Sequence, residues 1–472
     1  MTVHSLSERI LMHFPHSPTD DQTLAIHALT AFLSDTYNNK QVFLLKGYAG
    51  TGKTSLVAAL VKALAQMNRK SVLLAPTGRA AKVFSAYAGC KAWTIHRRIY
   101  RQKAFSGEPA AFTLAPNPHR HALFIVDEAS MIADRETEGG TAFGSGRLLA
   151  DLLHFVYSAE GCRLILMGDD AQLPPVMLAE SPALQAELLR SGYALTVTEA
   201  ALTQVVRHEA NSDILLNATA LRQALHEEKT SVMPKIRLSP KGNIIKVEGN
   251  EIIEEIASAY ARDGIDSTMV VVRSNSRARM YNAGIRSRIL YHEEELSAGD
   301  RLMVARNNYV QPAGIEGLDF LANGEIVQVI RVMHTAEAHG FSFADLLIGL
   351  PDYEAEVEIK VIVDALQSEA PALTREENER LFQAVWNDLE HISAKAEKMK
   401  TLKADLLYNA VQVKYAYAIT CHKAQGGQWK NVFLDTGSFA HETTDREFYR
   451  WLYTALTRAE ARLYIVNPKL LT

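Results

Sequence analysis

The chain has 472 residues, of which 47% are apolar and 22% charged, and its 50 basic and 54 acidic side chains give a net charge of −4. This length predicts two to four domains, and the composition is typical of folded globular proteins rather than of disordered chains. The net charge excludes a protein that is basic throughout, but it is compatible with a local basic groove.

The cysteines and the apolar runs indicate the cellular compartment to expect for the protein. Cys90, Cys162 and Cys421 are widely separated and form no CxxC pair, which excludes a disulfide scaffold and a cysteine zinc site and fits a reducing cytosol. No apolar run approaches the roughly 20 residues that span a bilayer, and the first residues lack the apolar core of a secretory signal. We therefore expect a cytoplasmic protein with no membrane partner.

Short apolar runs alternate with helix-like segments over the first 200 residues. Helical spacing of apolar residues predicts helices at 53–68 and 79–88. Buried strands are predicted at 41–46, 71–75, 122–126 and 163–167. This alternation predicts an α/β fold with a parallel sheet covered on both faces.

A second alternation follows and is interrupted by a β-rich region. Strands are predicted at 269–272, 432–435 and 462–466, with helices at 276–290 and 445–457. Residues 300–304, 325–332 and 356–363 are β-rich and include an Asn323-Gly324 turn. We interpret them as a small β domain inserted into the second α/β domain. One charged helix is predicted at 371–400 and a flexible surface loop at 136–146.

The most specific motif is GYAGTGKT at 47–54, a complete GxxxxGK[ST] pattern between a predicted strand and a predicted helix. Its glycines let backbone N–H groups face phosphates at a helix N-terminus. Lys53 is expected to contact the β- and γ-phosphates, and the Thr54 hydroxyl to bind Mg²⁺. The predicted nucleotide-binding residues of this loop are Gly47, Gly50, Thr51, Gly52, Lys53 and Thr54.

The segment ALFIVDE at 122–128 supplies two carboxylates at the end of an apolar strand. Asp127 is expected beside the metal, and Glu128 is expected to polarise an attacking water. On its own this is a common way for a strand to end, but after a phosphate-binding loop it indicates hydrolysis rather than binding alone. Arg207 and Arg458, in the second α/β domain, are candidates for the arginine that a second domain supplies to a phosphoryl-transfer site.

In this order the motifs resemble those of superfamily 1 helicases, specifically the RecD-like and phage Dda-like 5′→3′ branch, along nearly the whole chain. The resemblance implies two RecA-like domains with ATP in the cleft between them and single-stranded DNA across them. Gln22 resembles the family's adenine-reading glutamine, and Gln172 in GDDAQLPPV resembles its γ-phosphate sensor. Gly426 lies where the family joins its DNA contacts to the nucleotide cleft.

The resemblance also implies a set of DNA contacts, carried by APTGRAAK at 75–82, TIH at 94–96 and YAITCHKAQG at 417–426. With the adjoining basic residues, the set comprises Pro76, Thr77, Arg79, Lys82, Thr94, His96, Arg97, Arg98, Thr420, His422 and Lys423. A metal role for His422 is the alternative, but no ligand partners surround it at a suitable spacing.

The implied domains are a first RecA-like domain at 1–200 with a small hairpin insert at 91–120, a second at 201–298 and 411–472, and an SH3-like β insert plus charged helix at 299–410. Residues 91–120 carry six basic and one acidic side chain, whereas 351–400 carry six basic and twelve acidic ones. Local positive charge and interleaved aromatics suit a groove that tracks single-stranded DNA. Either Phe105 or Phe112 is a candidate for the hairpin tip, and a core position is the alternative for both.

The sequence therefore predicts an ATP-dependent DNA helicase that uses ATP and Mg²⁺ and acts, as a monomer, on single-stranded DNA and on junctions with duplex. Two alternatives stay open. One is an RNA or RNA/DNA helicase of the Upf-like branch, and the other is a nucleotide-gated nucleic-acid-binding protein without unwinding activity.

Overall fold

The structure, a computed structural model, describes residues 3–35, 40–102, 112–135, 144–205, 212–240, 242–308, 310–311, 320–350, 355–437 and 444–467. Arg207, Phe105 and most of the loop predicted at 136–146 lie outside these residues.

The first α/β unit is a six-stranded sheet in the order β3-β2-β6-β7-β1-β8, and all its neighbouring strands are parallel. Its strands and the adjoining hairpin are β1 (Gln41–Gly47), β2 (Ser71–Ala75), β3 (Ala92–Thr94), β4 (Tyr100–Gln102), β5 (Phe112–Leu114), β6 (Leu123–Val126), β7 (Arg163–Gly168) and β8 (Thr196–Leu202). Its helices are α1 (Val3–Met12), α2 (Asp20–Ser34), α3 (Lys53–Gln66), α4 (Gly78–Ala88), α5 (Ile95–Ile99) and α6 (Leu148–Tyr157).

Both faces of this sheet are covered, as the continuous apolar strands predict. Side chains alternate along β1, so Phe43 and Leu45 enter one core with α1 to α4, while Val42 and Leu44 enter a second core with α5 and α6. The carboxyl ends of the strands are left free to carry the motif loops.

The predicted small insert in this unit is the antiparallel hairpin of β4 and β5. Phe112 is not at its tip, because it lies in β5 and is buried, with its ring 6.4 Å from that of Phe320, which lies in the β insert between β11 and β12. The Tyr100 hydroxyl donates to Asp151 of α6 at 2.7 Å, which fixes the base of the hairpin to the first unit.

The second α/β unit is a five-stranded sheet in the order β16-β10-β17-β18-β9, again parallel throughout. The strands that follow the first unit are β9 (Ile244–Val247), β10 (Thr268–Val272), β11 (Arg301–Val304), β12 (Ile326–Ala338), β13 (Phe341–Leu350), β14 (Ala355–Ile362), β15 (Val411–Tyr415), β16 (Ala418–Thr420), β17 (Trp429–Asp435) and β18 (Ala459–Val466). The helices are α7 (Asp213–His226), α8 (Ile252–Asp263), α9 (Asn275–Arg288), α10 (Asp364–Gln367), α11 (Arg375–Asp388), α12 (Lys395–Ala404), α13 (Cys421–Ala424) and α14 (Arg446–Leu456).

The β insert is a closed five-stranded barrel, β11 to β15. The chain leaves and re-enters the second unit at one point, where the Tyr417 hydroxyl donates to Asp300 at 3.0 Å and the Ala416 N–H donates to the Arg301 carbonyl at 2.9 Å. The buried Asp300 also accepts two hydrogen bonds of 2.9 Å from the Arg286 guanidinium. The SH3-like character of the insert and the exact domain limits stay predictions.

The single charged helix predicted at 371–400 is wrong, because the chain forms α11 and α12 with a break between them. A capping box at Thr374 begins α11. The break lets Leu402 of α12 join Leu381 and Val385 of α11 in one small core against Phe341 of the barrel. Burying these apolar side chains together stabilises two packed helices over one long exposed one. Among the helices that the structure describes, none has the length and apolarity needed to cross a membrane.

Candidate nucleotide cleft and nucleic-acid interface

A cavity of about 340 Å³ lies between the two units, at the carboxyl ends of the strands of the first sheet. The first unit lines it with the phosphate-binding loop and both strand-end acids, and the second unit lines it with residues from two of its motifs. The predicted site residues in its wall are Gln22, Gly50, Gly52, Lys53, Thr54, Asp127, Glu128, Gln172, Gly426 and Arg458. Residues that are far apart in the sequence thus meet in one site.

The loop between β1 and α3 has the backbone that a phosphate cradle needs. Gly52, the residue before α3, has φ +82°, and a Cβ there would lie 2.5 Å from Nε2 of Gln22. Gln22 is buried; its Nε2 donates to the Thr51 carbonyl at 2.9 Å and its Oε1 accepts from the Thr19 N–H at 3.0 Å. Gln22 therefore ties α2 to this loop, and only glycine fits position 52 without displacing it.

Lys53 points back over the same loop. Its Nζ donates to the Tyr48 carbonyl at 3.0 Å and to the Gly47 carbonyl. The loop thus presents one cation together with the backbone N–H groups at the start of α3, which is a favourable environment for phosphate oxygens.

The two strand-end acids follow β6 directly. Burial and the neighbouring Glu128 raise the pKa of Asp127, while Lys53 acts in the opposite direction. The Thr54 hydroxyl and the Asp127 carboxylate are oxygen ligands of the kind that Mg²⁺ prefers, and a cation would offset the cost of the buried carboxylate. The residues present therefore fit a magnesium ion.

Glu128 has a left-handed backbone, with φ +50° and ψ +39°. A non-glycine residue in this region carries backbone strain, which proteins keep mainly at functional sites. The Glu128 N–H donates to Oδ1 of Asp127 at 2.8 Å, so the Asp127 carboxylate is held against this strained turn.

Arg458 is 2% exposed and is fixed at the carboxyl end of α14. Its Nε donates to the Thr454 carbonyl at 3.0 Å and its Nη1 to the Gly427 carbonyl at 3.2 Å. Gln172 reaches the same cavity from the loop after β7, and the next residue, Leu173, accepts from Gln425 Nε2 at 2.7 Å. The sensor loop of the first unit is therefore in direct contact with the second.

The segment after α13 lies against the start of α4. Gly426 has φ +71°, and a Cβ there would lie 3.0 Å from Cβ of Ala80 and 3.2 Å from Oγ1 of Thr77. Arg79 donates to the Gln428 carbonyl at 2.8 Å, and its guanidinium lies 3.9 Å from the centre of the Trp429 ring. Arg79, predicted as a DNA contact, is thus engaged across the boundary between the units.

The other predicted DNA contacts of the first unit gather at one sheet edge, because β2 and β3 are parallel neighbours. Thr77 caps α4 by accepting from the Ala80 N–H, and Thr94 caps α5 by accepting from the Arg97 N–H. Pro76, Arg97 and Arg98 adjoin these caps, and Lys82 is exposed on α4. Burial lowers the pKa of His96 to about 4, so this side chain is neutral at pH 7.

The second unit contributes Thr420, at the end of β16, with His422 and Lys423 in α13. Burial lowers the pKa of both His422 and Lys423. These three residues belong to the second unit, so each unit has its own group of candidate DNA contacts.

Comparison with known proteins gives two family matches in sequence order. Residues 21–235 match a family described as an AAA domain, and residues 415–466 match the UvrD-like helicase C-terminal domain. The chain is 26% identical over 436 residues to the ATP-dependent RecD2 DNA helicase of Deinococcus radiodurans, covering 92% of this chain and 48% of that protein. It is 23% identical over 449 residues to the ATP-dependent DNA helicase dda of Enterobacteria phage T4, covering 89% and 93% of the two chains.

The two family matches and these relatives support a superfamily 1 helicase of the RecD/Dda type. This chain spans about half the length of the Deinococcus protein but nearly all of the phage protein. Among solved structures, a Bacteroides Pif1 helicase in complex with ADP-AlF3 and ssDNA aligns over 96% of this chain and 93% of its own, at 15% identity and a TM-score of 0.47.

The sequence did not identify several residues that join the two units. Asp169 lies inside GDDAQLPPV at 168–176, Tyr453 precedes Arg458 by five residues and Trp429 follows Gly426 by three. Only the fold shows that Tyr453 meets Asp169 and that Trp429 meets Arg79 across the boundary between the units. The signal that could have found them is their closeness in sequence to residues already assigned to the site.

Proposed function

We propose that this helicase couples ATP hydrolysis to 5′→3′ movement along single-stranded DNA and unwinds duplex at the junction it meets. The observation that carries the proposal is the cavity of about 340 Å³ whose wall combines Lys53, Glu128 and Gln172 of the first unit with Gly426 and Arg458 of the second. A nucleotide held there touches both units, so its hydrolysis changes how they fit together. The names of the bacterial and phage relatives support DNA as the substrate.

Each side chain has a proposed part in hydrolysis. Lys53 and the N-terminus of α3 hold the phosphates, Glu128 activates the attacking water, and Gln172 senses the γ-phosphate. Arg458 stabilises the charge that develops in the transition state, and Arg207 is proposed as a second such arginine from its motif alone. Mg²⁺, held by Thr54 and Asp127, supplies charge neutralisation when bound.

Movement follows from alternating closure and opening of the cleft. Each unit carries its own candidate DNA contacts, so a change in the distance between the units moves one group of DNA contacts relative to the other. A stacked base-pair step is worth about 1.4 kcal/mol, which is a modest load for one cycle of hydrolysis.

The first test is Lys53→Ala, which we expect to abolish DNA-stimulated ATPase while DNA binding persists. Lys62→Ala, in the same helix but exposed, is the matched control and should keep the wild-type rate. Persistent ATPase in K53A refutes the site.

Two further measurements separate the alternatives. Duplexes with only a 5′ or only a 3′ single-stranded tail test the direction, and unwinding only from the 3′ tail would contradict it. Comparing ATPase stimulation by DNA and RNA oligomers separates a DNA helicase from an RNA helicase, and absence of strand separation would favour a nucleotide-gated binding protein. Size-exclusion chromatography with a tailed duplex tests the expected monomer.

A further inference from the structure

Helix α14 presents one face to the first unit. Arg450 donates to the Ala179 carbonyl, the hydroxyl of Tyr453 reaches the phosphate-binding loop, and Thr454 Oγ1 accepts from the Leu173 N–H at 2.9 Å. Residues three and four apart share a helix face, so these contacts form one row. Arg458 follows at the end of the same helix.

Within this row, Tyr453 bridges two parts of the first unit that both adjoin the nucleotide cavity. Its hydroxyl oxygen accepts from the Ala49 N–H in the phosphate-binding loop at 3.0 Å. The same hydroxyl donates to Oδ2 of Asp169, at the end of β7, at 2.7 Å. Tyr453 is 1% exposed, so both hydrogen bonds are shielded from water.

The chemistry of the three groups determines which of them donates in each hydrogen bond. The phenol has one O–H proton, and it donates this proton in the hydrogen bond to the Asp169 carboxylate. A lone pair of the same oxygen then accepts from the Ala49 N–H. Burial and Asp169 hold the pKa of Tyr453 well above its usual value, so the hydroxyl stays protonated. Burial raises the pKa of Asp169, while Lys53 and the Tyr453 hydroxyl act in the opposite direction, so the carboxylate lies in the field of the phosphate-binding lysine.

We propose that Tyr453 is a positioning residue that acts as a latch between the units, formed by its hydroxyl with the Ala49 N–H and the Asp169 carboxylate. One oxygen makes both hydrogen bonds, so withdrawal of α14 breaks both in a single movement. The latch holds α14, and with it Arg458, in register with the phosphate-binding loop. It touches the protein around the nucleotide rather than the nucleotide itself. This inference rests on the proposed function, since it assigns how that site is assembled.

The test is Tyr453→Phe, which keeps the ring and removes both hydrogen bonds. The matched control is Tyr449→Phe in the same helix, because the buried Tyr449 donates only within the second unit, to the Val232 carbonyl at 2.6 Å. We expect Y453F to lower kcat of the DNA-stimulated ATPase about tenfold, equivalent to about 1.4 kcal/mol in the barrier, with KM for ATP changed less than about twofold. Y449F should match wild type in both constants within about twofold.

The split between kcat and KM distinguishes a latch from loss of packing, because the groups of the first unit that hold ATP are intact in Y453F. Asp169→Asn approaches the same contact from the other side and serves if Y453F does not fold. A double variant should lose no more than the larger single loss if Tyr453 acts through Asp169, whereas additive losses overturn that coupling.

The outcomes separate the latch from the function on which it rests. Normal DNA-stimulated ATPase in wild type with an equal kcat in Y453F overturns the latch alone. Equal losses in Y453F and Y449F also overturn it, because they indicate a general need for hydroxyls in α14. A wild-type protein with no DNA-stimulated ATPase overturns the proposed function, and the latch with it.

Discussion

Gly426 brings the backbone of the second unit against α4 of the first, and this contact gives a sharp prediction. In Gly426→Ala, the new methyl group would lie 3.0 Å from Cβ of Ala80 and 3.2 Å from Oγ1 of Thr77. Neither neighbour is the flexible end of a long side chain. The methyl therefore crowds both neighbours and raises the free energy of the arrangement in which Arg458 lines the nucleotide cavity.

The magnitude follows from separating two costs. Alanine at φ +71° is strained by about 1–2 kcal/mol, but this strain is internal to the second unit and is present whether the cleft is open or closed. The crowding against α4 arises only on closure, and overpacking of one methyl costs about 1–3 kcal/mol. The backbone strain is the same in the open and closed states and therefore cancels. Only the free energy of closure rises, by the cost of the crowding, and kcat should fall about 5- to 150-fold.

The assay is DNA-stimulated ATPase at saturating ATP, with Gly340→Ala as control. Gly340 has the same φ of +71°, and a Cβ there meets nothing within 4 Å. G340A thus carries the backbone strain without the contact and should keep wild-type kcat. If G426A turns over ATP as fast as G340A, the units do not close on this contact and the reasoning is refuted.

Three further predictions concern the β insert. Asp300→Asn breaks the buried ion pair with Arg286 and should lower the free energy of unfolding, measured with heat or urea, by about 3–5 kcal/mol. The control Glu248→Gln breaks an exposed ion pair with Lys246 and should lower it by less than about 1 kcal/mol. Equal losses in the two variants would contradict a stabilising role for the buried pair. Burial, the largest single influence, raises the pKa of Asp300, but the hydrogen bonds from Arg286, Ser297 and His292 and the charge of Arg286 together outweigh it and leave this pKa below its usual value. The stabilisation by Asp300 is therefore present above about pH 4 and lost as the pH falls below it, and wild type should lose more stability on acidification than D300N. Phe320→Ala removes the ring that supports Phe112 of the hairpin and should slow duplex unwinding several-fold while ATPase stimulated by single strands stays within about twofold; parallel losses would refute this.

The strands that carry motifs were predictable because they are buried on both faces. Residues 71–75 and 163–167 are continuous apolar runs, and the structure places strands there within one residue. The edge strand β8 was missed, since Thr196–Leu202 mixes polar and small residues, has only Leu202 buried and carries no such run. An edge strand such as β8 is recognised by its pairing with one neighbouring strand, and a short stretch of sequence does not reveal that pairing.

The site residues that belong to short sequence motifs were predictable, whereas the contacts between distant residues were not. Local spacing identified Lys53, Asp127 and Glu128, because phosphate and metal chemistry demands fixed residue types beside a strand end. The Tyr453 contact with Ala49 joins residues 404 apart, and that of Arg79 with the Gln428 carbonyl joins residues 349 apart. Such contacts exist only after both sheets have formed and packed together, so no window of sequence contains them.

The joint at the base of the barrel has an evolutionary consequence. Asp300 and Tyr417 hold the outgoing and returning chain together by a direct hydrogen bond, so the two ends of the insert are fixed beside each other at one joint. The entropic cost of closing a loop grows only slowly with its length. Loops within residues 301–415 can therefore change in length over evolution at little entropic cost to the joint, whereas the barrel strands are constrained because they share a hydrophobic core with the second sheet.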